Sequence, residues 1–69
     1  MNDEYIKELR LNPDHEYRLI KSESKDKGRL DTDYETYEEY DLEGNLVRTF
    51  TIKDATEKYP PFSRTISYA

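Results

Sequence analysis

Asp31-Thr32-Asp33-Tyr34-Glu35-Thr36-Tyr37-Glu38-Glu39-Tyr40-Asp41-Leu42-Glu43 decides the fold. Every second residue from Asp31 gives Asp31, Asp33, Glu35, Tyr37, Glu39, Asp41 and Glu43, all acidic except Tyr37. The interleaved set from Leu30 is Leu30, Thr32, Tyr34, Thr36, Glu38, Tyr40 and Leu42, mostly apolar, aromatic or β-branched. A period of two is imposed by a strand with one wet and one dry face. Tyr34, Tyr37 and Tyr40 also have helical spacing. A helix here would have weak capping and early residues of low helical propensity, so the strand is the better reading.

The turn that follows sets the neighbouring strand. Asp41-Leu42-Glu43-Gly44 has Asp at the first and Gly at the last position of a type I turn, with Gly44 as the left-handed residue of a G1 bulge. Tyr40-Asp41-Leu42-Glu43-Gly44-Asn45-Leu46 resembles the hairpin of tyrosine–aspartate repeat proteins, which implies this turn only. Closing Asp41 on Asn45 pairs Tyr40 with Leu46, Glu38 with Arg48, Thr36 with Phe50 and Tyr34 with Ile52 on the dry face. Glu39 then faces Val47, Tyr37 faces Thr49, Glu35 faces Thr51 and Asp33 faces Lys53 on the wet face. A two-residue Gly44-Asn45 loop mixes the faces, so the first register is expected. For the preceding hairpin, a bulged turn ending at Gly28 pairs Ile20 with Tyr34 and Lys21 with Asp33. A tight Lys27-Gly28 loop pairs Leu19 with Thr36 and Ile20 with Glu35. The bulged turn is preferred because it buries Ile20.

The remaining elements follow from these strands. Residues 3–11 read as a short helix with Tyr5, Ile6 and Leu9 on one face, capped by Asn2 or Asp3 and stopped by Asn12-Pro13. Strands are expected at about 16–24, 30–41 and 46–53. Asp54-Ala55-Thr56-Glu57 has capping-box spacing, which predicts a helical turn over 54–59 ended by Pro60-Pro61. Residues 62–69 read as an edge strand or a tail. The expected fold is α+β: one 69-residue domain with an N-terminal helix on the dry face of a three- to four-stranded antiparallel meander. The expected core is Ile6, Leu9, Ile20, Tyr34, Tyr40, Leu46, Phe50 and Ile52, with Tyr59 and Phe62 closing one end.

Composition bounds the function. Charged residues are 39% and hydrophobic residues 33%, so the core is thin and its seven Tyr supply much of it. There is no Cys, which excludes disulfides and thiolate metal sites and, in so small a domain, favours the cytoplasm. The acidic start precedes no long apolar run, so neither a signal peptide nor a membrane span is expected. A net charge of −5 disfavours direct binding of nucleic acid or anionic lipid and favours a basic protein surface. His15 is the single His, flanked by Asp14 and Glu16, and three consecutive residues make poor metal-ligand geometry, so no metal or other cofactor is expected. Carboxylate pairs such as Glu38-Glu39 lie on a strand without a concave site, and no enzyme is expected. Lys25, Lys27 and Arg29 read as a solvated turn.

The candidate binding residues are therefore the acidic row Asp31, Asp33, Glu35, Tyr37, Glu39 and Asp41. Alternate strand residues lie roughly 6–7 Å apart, of the same order as successive phosphates on a nucleic-acid strand. Such a row suits an inhibitor that occupies the nucleic-acid site of a basic protein, in the manner of phage anti-restriction, anti-CRISPR or transcription-inhibitor proteins. Lys53 and Lys21 are the cations placed to neutralise it. The bland alternatives are a solvated face that keeps the chain in solution, or a small assembly protein that forms a homodimer.

Overall fold

The computed structural model describes all 69 residues as one helix and four strands: α1 (Asp3–Glu8), β1 (Glu16–Lys27), β2 (Leu30–Tyr40), β3 (Leu46–Glu57) and β4 (Arg64–Tyr68). The strands pair antiparallel in the order β1-β2-β3-β4, the meander expected from the sequence. The single-layer sheet gives an elongated molecule of 44 × 21 × 14 Å. Asn2 caps α1 by accepting the Glu4 N–H at 2.9 Å. The helix ends earlier than Asn12-Pro13 predicts. Arg10 takes a left-handed φ of 52°, and Leu11 N–H donates to the Ile6 carbonyl at 2.9 Å, a Schellman closure that buries Leu11. No helix is long and apolar enough to cross a membrane.

The turn after β2 forms as expected. Asp41 N–H donates to the Asn45 carbonyl at 3.0 Å, Gly44 has a φ of 83°, and Tyr40 pairs with Leu46. The register beyond it does not follow. A β-bulge leaves Val47 unpaired, so Glu39 pairs with Arg48, Tyr37 with Phe50, Glu35 with Ile52 and Asp33 with Asp54. One extra residue on one strand exchanges the faces of everything beyond it. The face of β2 that carries Asp33, Glu35, Tyr37 and Glu39 is therefore the one that meets Phe50 and Ile52 and is covered by α1. The first hairpin matches neither expected register. Gly28-Arg29 is a two-residue loop, with Gly28 at a φ of 57° and Lys27 paired with Leu30. A second bulge leaves Ile20 unpaired between Leu19, opposite Tyr37, and Lys21, opposite Thr36.

These two bulges rewrite the core. Tyr5, Tyr37 and Ile52 form its buried centre, with Leu9, Tyr17, Phe50 and Ile66 packed around them. Phe50 is the aromatic hub, with ring centroids 6.0 Å from Tyr37, 6.1 Å from Tyr17 and 5.8 Å from Tyr68. Of the expected core, Ile52 is fully buried, and Leu9 and Phe50 pack on it. Ile20 and Leu46 are exposed, Ile20 because it sits in the bulge. Tyr34 and Tyr40 lie on the opposite, uncovered face, where Lys25 and Arg18 cover their rings at 5.4 and 5.0 Å. Tyr59 and Phe62 are exposed and close nothing. The helical turn expected over 54–59 is absent because β3 runs on to Glu57, held there by the pairing of β4 with Ile52–Thr56. Residues 64–68 form the edge strand rather than a tail.

Candidate functional site

The acidic row occupies the helix-bearing face, and the fold divides it into three parts. The first part is buried. Glu39 lies under the chain that joins α1 to β1. Its Oε2 is 2.6 Å from His15 Nδ1, and its Oε1 accepts from Arg48 Nε at 2.7 Å. Burial alone would push the Glu39 carboxyl up. The hydrogen bonds from Arg48 and His15 outweigh it and hold the group below the ordinary carboxylate range. Tyr37 is also buried, and its hydroxyl donates to Glu35. Burial, then that hydrogen bond, raise the Tyr37 phenol well above its usual value.

The second part is Asp41, which serves the turn. Its Oδ1 accepts the Glu43 and Asn45 backbone N–H groups, each at 2.9 Å. The Asn45 N–H is the chief reason its carboxyl titrates low. The third part is open. Asp31 and Asp33 are exposed on the half of the face that α1 leaves uncovered, and Glu35 is half-exposed beside them. Asp26 of β1 sits directly opposite Asp31, and Ser24 Oγ donates to Asp33 at 2.7 Å. Lys58 is the cation that makes ion pairs here, bonded to Asp26 and 3.8 Å from Asp31. The Asp31 side chain is still 64% exposed. Ser24, Lys25, Asp26, Asp31, Thr32 and Asp33 line a shallow recess at this end.

The cations that neutralise the row are not those expected from the sequence. Lys21 pairs with Thr36 and Lys53 with Tyr34, which puts both on the other face. His15, Arg48 and Lys58 do the work instead, and a second clamp lies one strand away. Asp54 is buried in mid-strand, where the sequence suggested a helix cap. Its Oδ2 accepts from Tyr5 Oη at 2.7 Å and from Arg64 Nη2 at 2.6 Å, and its Oδ1 accepts from Arg64 Nε at 2.9 Å. The bidentate Arg64 contact is the main cause of its depressed pKa. Arg64 also bonds Glu4 of α1. Sequence reasoning missed Tyr5, Asp54 and Arg64 because nothing local joins residues 49 and 10 positions apart. The available signal was indirect: a carboxylate that becomes buried needs a cation, and Arg48 and Arg64 could reach.

Chemically, Glu39 and Asp54 fasten residues 1–15 to the sheet, whereas Asp26, Asp31 and Asp33 face solvent. Comparison with known proteins finds no matching family model, no matching curated protein and no matching solved structure.

Proposed function

We propose that this chain is a non-enzymatic, acidic protein-binding module that contacts a basic protein surface through Asp26, Asp31 and Asp33. The supporting observation is the contrast within the acidic row. Glu39 and Asp54 are saturated by His15, Arg48, Tyr5 and Arg64, whereas Asp31 and Asp33 are exposed, and the nearby Lys58 is shared between Asp26 and Asp31. Neighbouring carboxylates of like charge repel one another on an open sheet, so the patch is stabilised by incoming Arg or Lys. In its sharpest form the module is an inhibitor that covers the nucleic-acid site of its target, by the phage anti-restriction, anti-CRISPR or transcription-inhibitor logic. The open patch is shorter than the full row, so it suits a compact cluster of basic side chains better than an extended phosphate track.

The test is affinity capture from host lysate on immobilised protein, eluted in steps of rising salt, with the triple variant D26N/D31N/D33N beside it. Nucleic-acid-binding proteins that elute with salt from the parent and are lost from the variant support the reading. Equal retention by both proteins overturns it.

A further inference from the structure

β1 is the long free edge of the sheet. It has a neighbour on one side only, and of its 12 residues only Tyr17 is less than exposed. Its outward backbone N–H and C=O groups form a template for another strand. Charged side chains normally block such an edge, but here both signs are interspersed along it. Paired residues of antiparallel strands share a face, and the bulge at Ile20 exchanges faces within β1. Glu16 and Arg18, before the bulge, therefore share the uncovered face with Lys21, Glu23 and Lys25 after it.

We propose that β1 pairs antiparallel with β1 of a second copy about a twofold axis at Lys21, joining two four-stranded sheets into one. This interface does not depend on the acidic-patch reading above. With Ile20 left out of the pairing in each copy, this register sets Arg18 opposite Glu23 of the second copy and Glu16 opposite its Lys25. Each pair occurs twice by symmetry, against a single Lys21–Lys21 contact. The other same-face registers are poorer. An axis at Ser22 sets Lys21 against Glu23 and Glu16 against Lys27 but brings Arg18 against Lys25 twice, one repulsion more than the single Lys21–Lys21 contact. An axis at Glu23 sets it against itself and Lys21 against Lys25. An axis at Leu19 sets Arg18 against Lys21 and Glu16 against Glu23, and an axis at Ser24 sets Lys21 against Lys27. The favoured register also gathers exposed apolar surface at the axis. Leu19 and Ile20 are 52% and 53% exposed, and Leu19 faces Ser22 of the second copy, diagonal to its own symmetry mate. A perpendicular twofold keeps both helices on one side of the joined sheet, and the paired stretch stops short of Asp26, so two acidic patches are presented together.

The chain has no Cys, which makes a cross-link unambiguous. Lys21→Cys places two thiols across the axis, so it should form a covalent dimer under mild oxidation much faster than Lys25→Cys or Glu23→Cys. Sedimentation velocity over a dilution series gives the second reading. Arg18→Glu should raise the dimer dissociation constant about tenfold, since two exposed attractions become repulsions. The swap R18E/E23R should restore it, and Lys21→Thr should tighten it. Cross-linking of Lys21→Cys no faster than of Lys25→Cys overturns the proposal. So does a parent protein that stays monomeric at its highest concentration, or a swap that dimerises no better than Arg18→Glu.

Discussion

Asp54→Asn tests whether buried carboxylates hold α1 to the sheet. The substitution keeps the size of the side chain and removes its charge. Asp54 accepts three hydrogen bonds, one from Tyr5 and two from Arg64. An amide has one acceptor oxygen, so its NH₂ must point at either Arg64 Nε or the Tyr5 and Arg64 Nη2 donors. At least one bond is lost and a donor meets a donor. Removing one partner of a buried ion pair costs about 3–5 kcal/mol, and hydrogen bonds to charged groups are worth about 1.5–3 kcal/mol. The Arg64 side chain is 36% exposed, so water recovers part of the loss. The expected destabilisation is about 2–3 kcal/mol, a large share of what so small a domain has. With a urea slope of about 1 kcal/mol/M, the midpoint should fall by about 2–3 M. Tyr5→Phe removes the hydroxyl alone and should cost about 1 kcal/mol. Urea titrations followed by circular dichroism of the parent, both single variants and the double variant measure the loss and the coupling. A cost for Asp54→Asn below about 0.5 kcal/mol, or no coupling to Tyr5, would refute the clamp.

Glu39 and Asp54 both have folded-state pKa values below their unfolded-state values. Their contribution is therefore complete above the unfolded values near 4 and is lost as pH falls through the folded ones, so urea midpoints should be flat above about pH 5 and drop steeply below about pH 4. Glu39→Gln should flatten that acid limb. Ile52→Ala, at the fully buried centre, should cost about 2–4 kcal/mol, whereas Ile20→Thr in the exposed bulge should change stability by less than about 0.5 kcal/mol; equal effects would contradict the packing. Deleting Val47 removes only the unpaired residue of the bulge and leaves Glu39 opposite Arg48 and Tyr37 opposite Phe50 with the turn intact, so cooperative unfolding followed by tyrosine fluorescence should persist; its loss would contradict the register.

The meander, its first three strands and the Asp41–Asn45 turn were legible because period-two alternation and turn chemistry are local, whereas residues 62–69 fit an edge strand and a tail equally. The faces were not legible. Both alternations of β2 are polar, with Tyr37 and four acids on one side and Leu30, Tyr34, Tyr40, two Thr and Glu38 on the other, so hydrophobicity separates them only weakly. The choice is made by Val47, whose unpaired position is set by what it brings together: Phe50 on Tyr37 and Arg48 on Glu39. Neither gain is visible within a window of a few residues. The same holds for Asp54, whose capping-box spacing to Glu57 is a sound local pattern that loses to pairing with β4 and to the Arg64 contact.

The acidic row carries its meaning in its neighbours. A run of carboxylates on one strand looks like an outward surface because isolated charges avoid burial. In this chain the same run supplies acceptors for a phenol, an imidazole and an arginine, and only its far end is left for another molecule. The carboxylates that could bind a partner are thus those the fold does not use. Asp26, Asp31 and Asp33 can be neutralised without touching Glu39 or Asp54, so binding and folding can be varied separately. A partner that required Glu39 would have to displace His15 and Arg48 first, giving association that is slow and only weakly dependent on salt. One that uses Asp31 and Asp33 should bind fast and lose affinity steeply as salt rises.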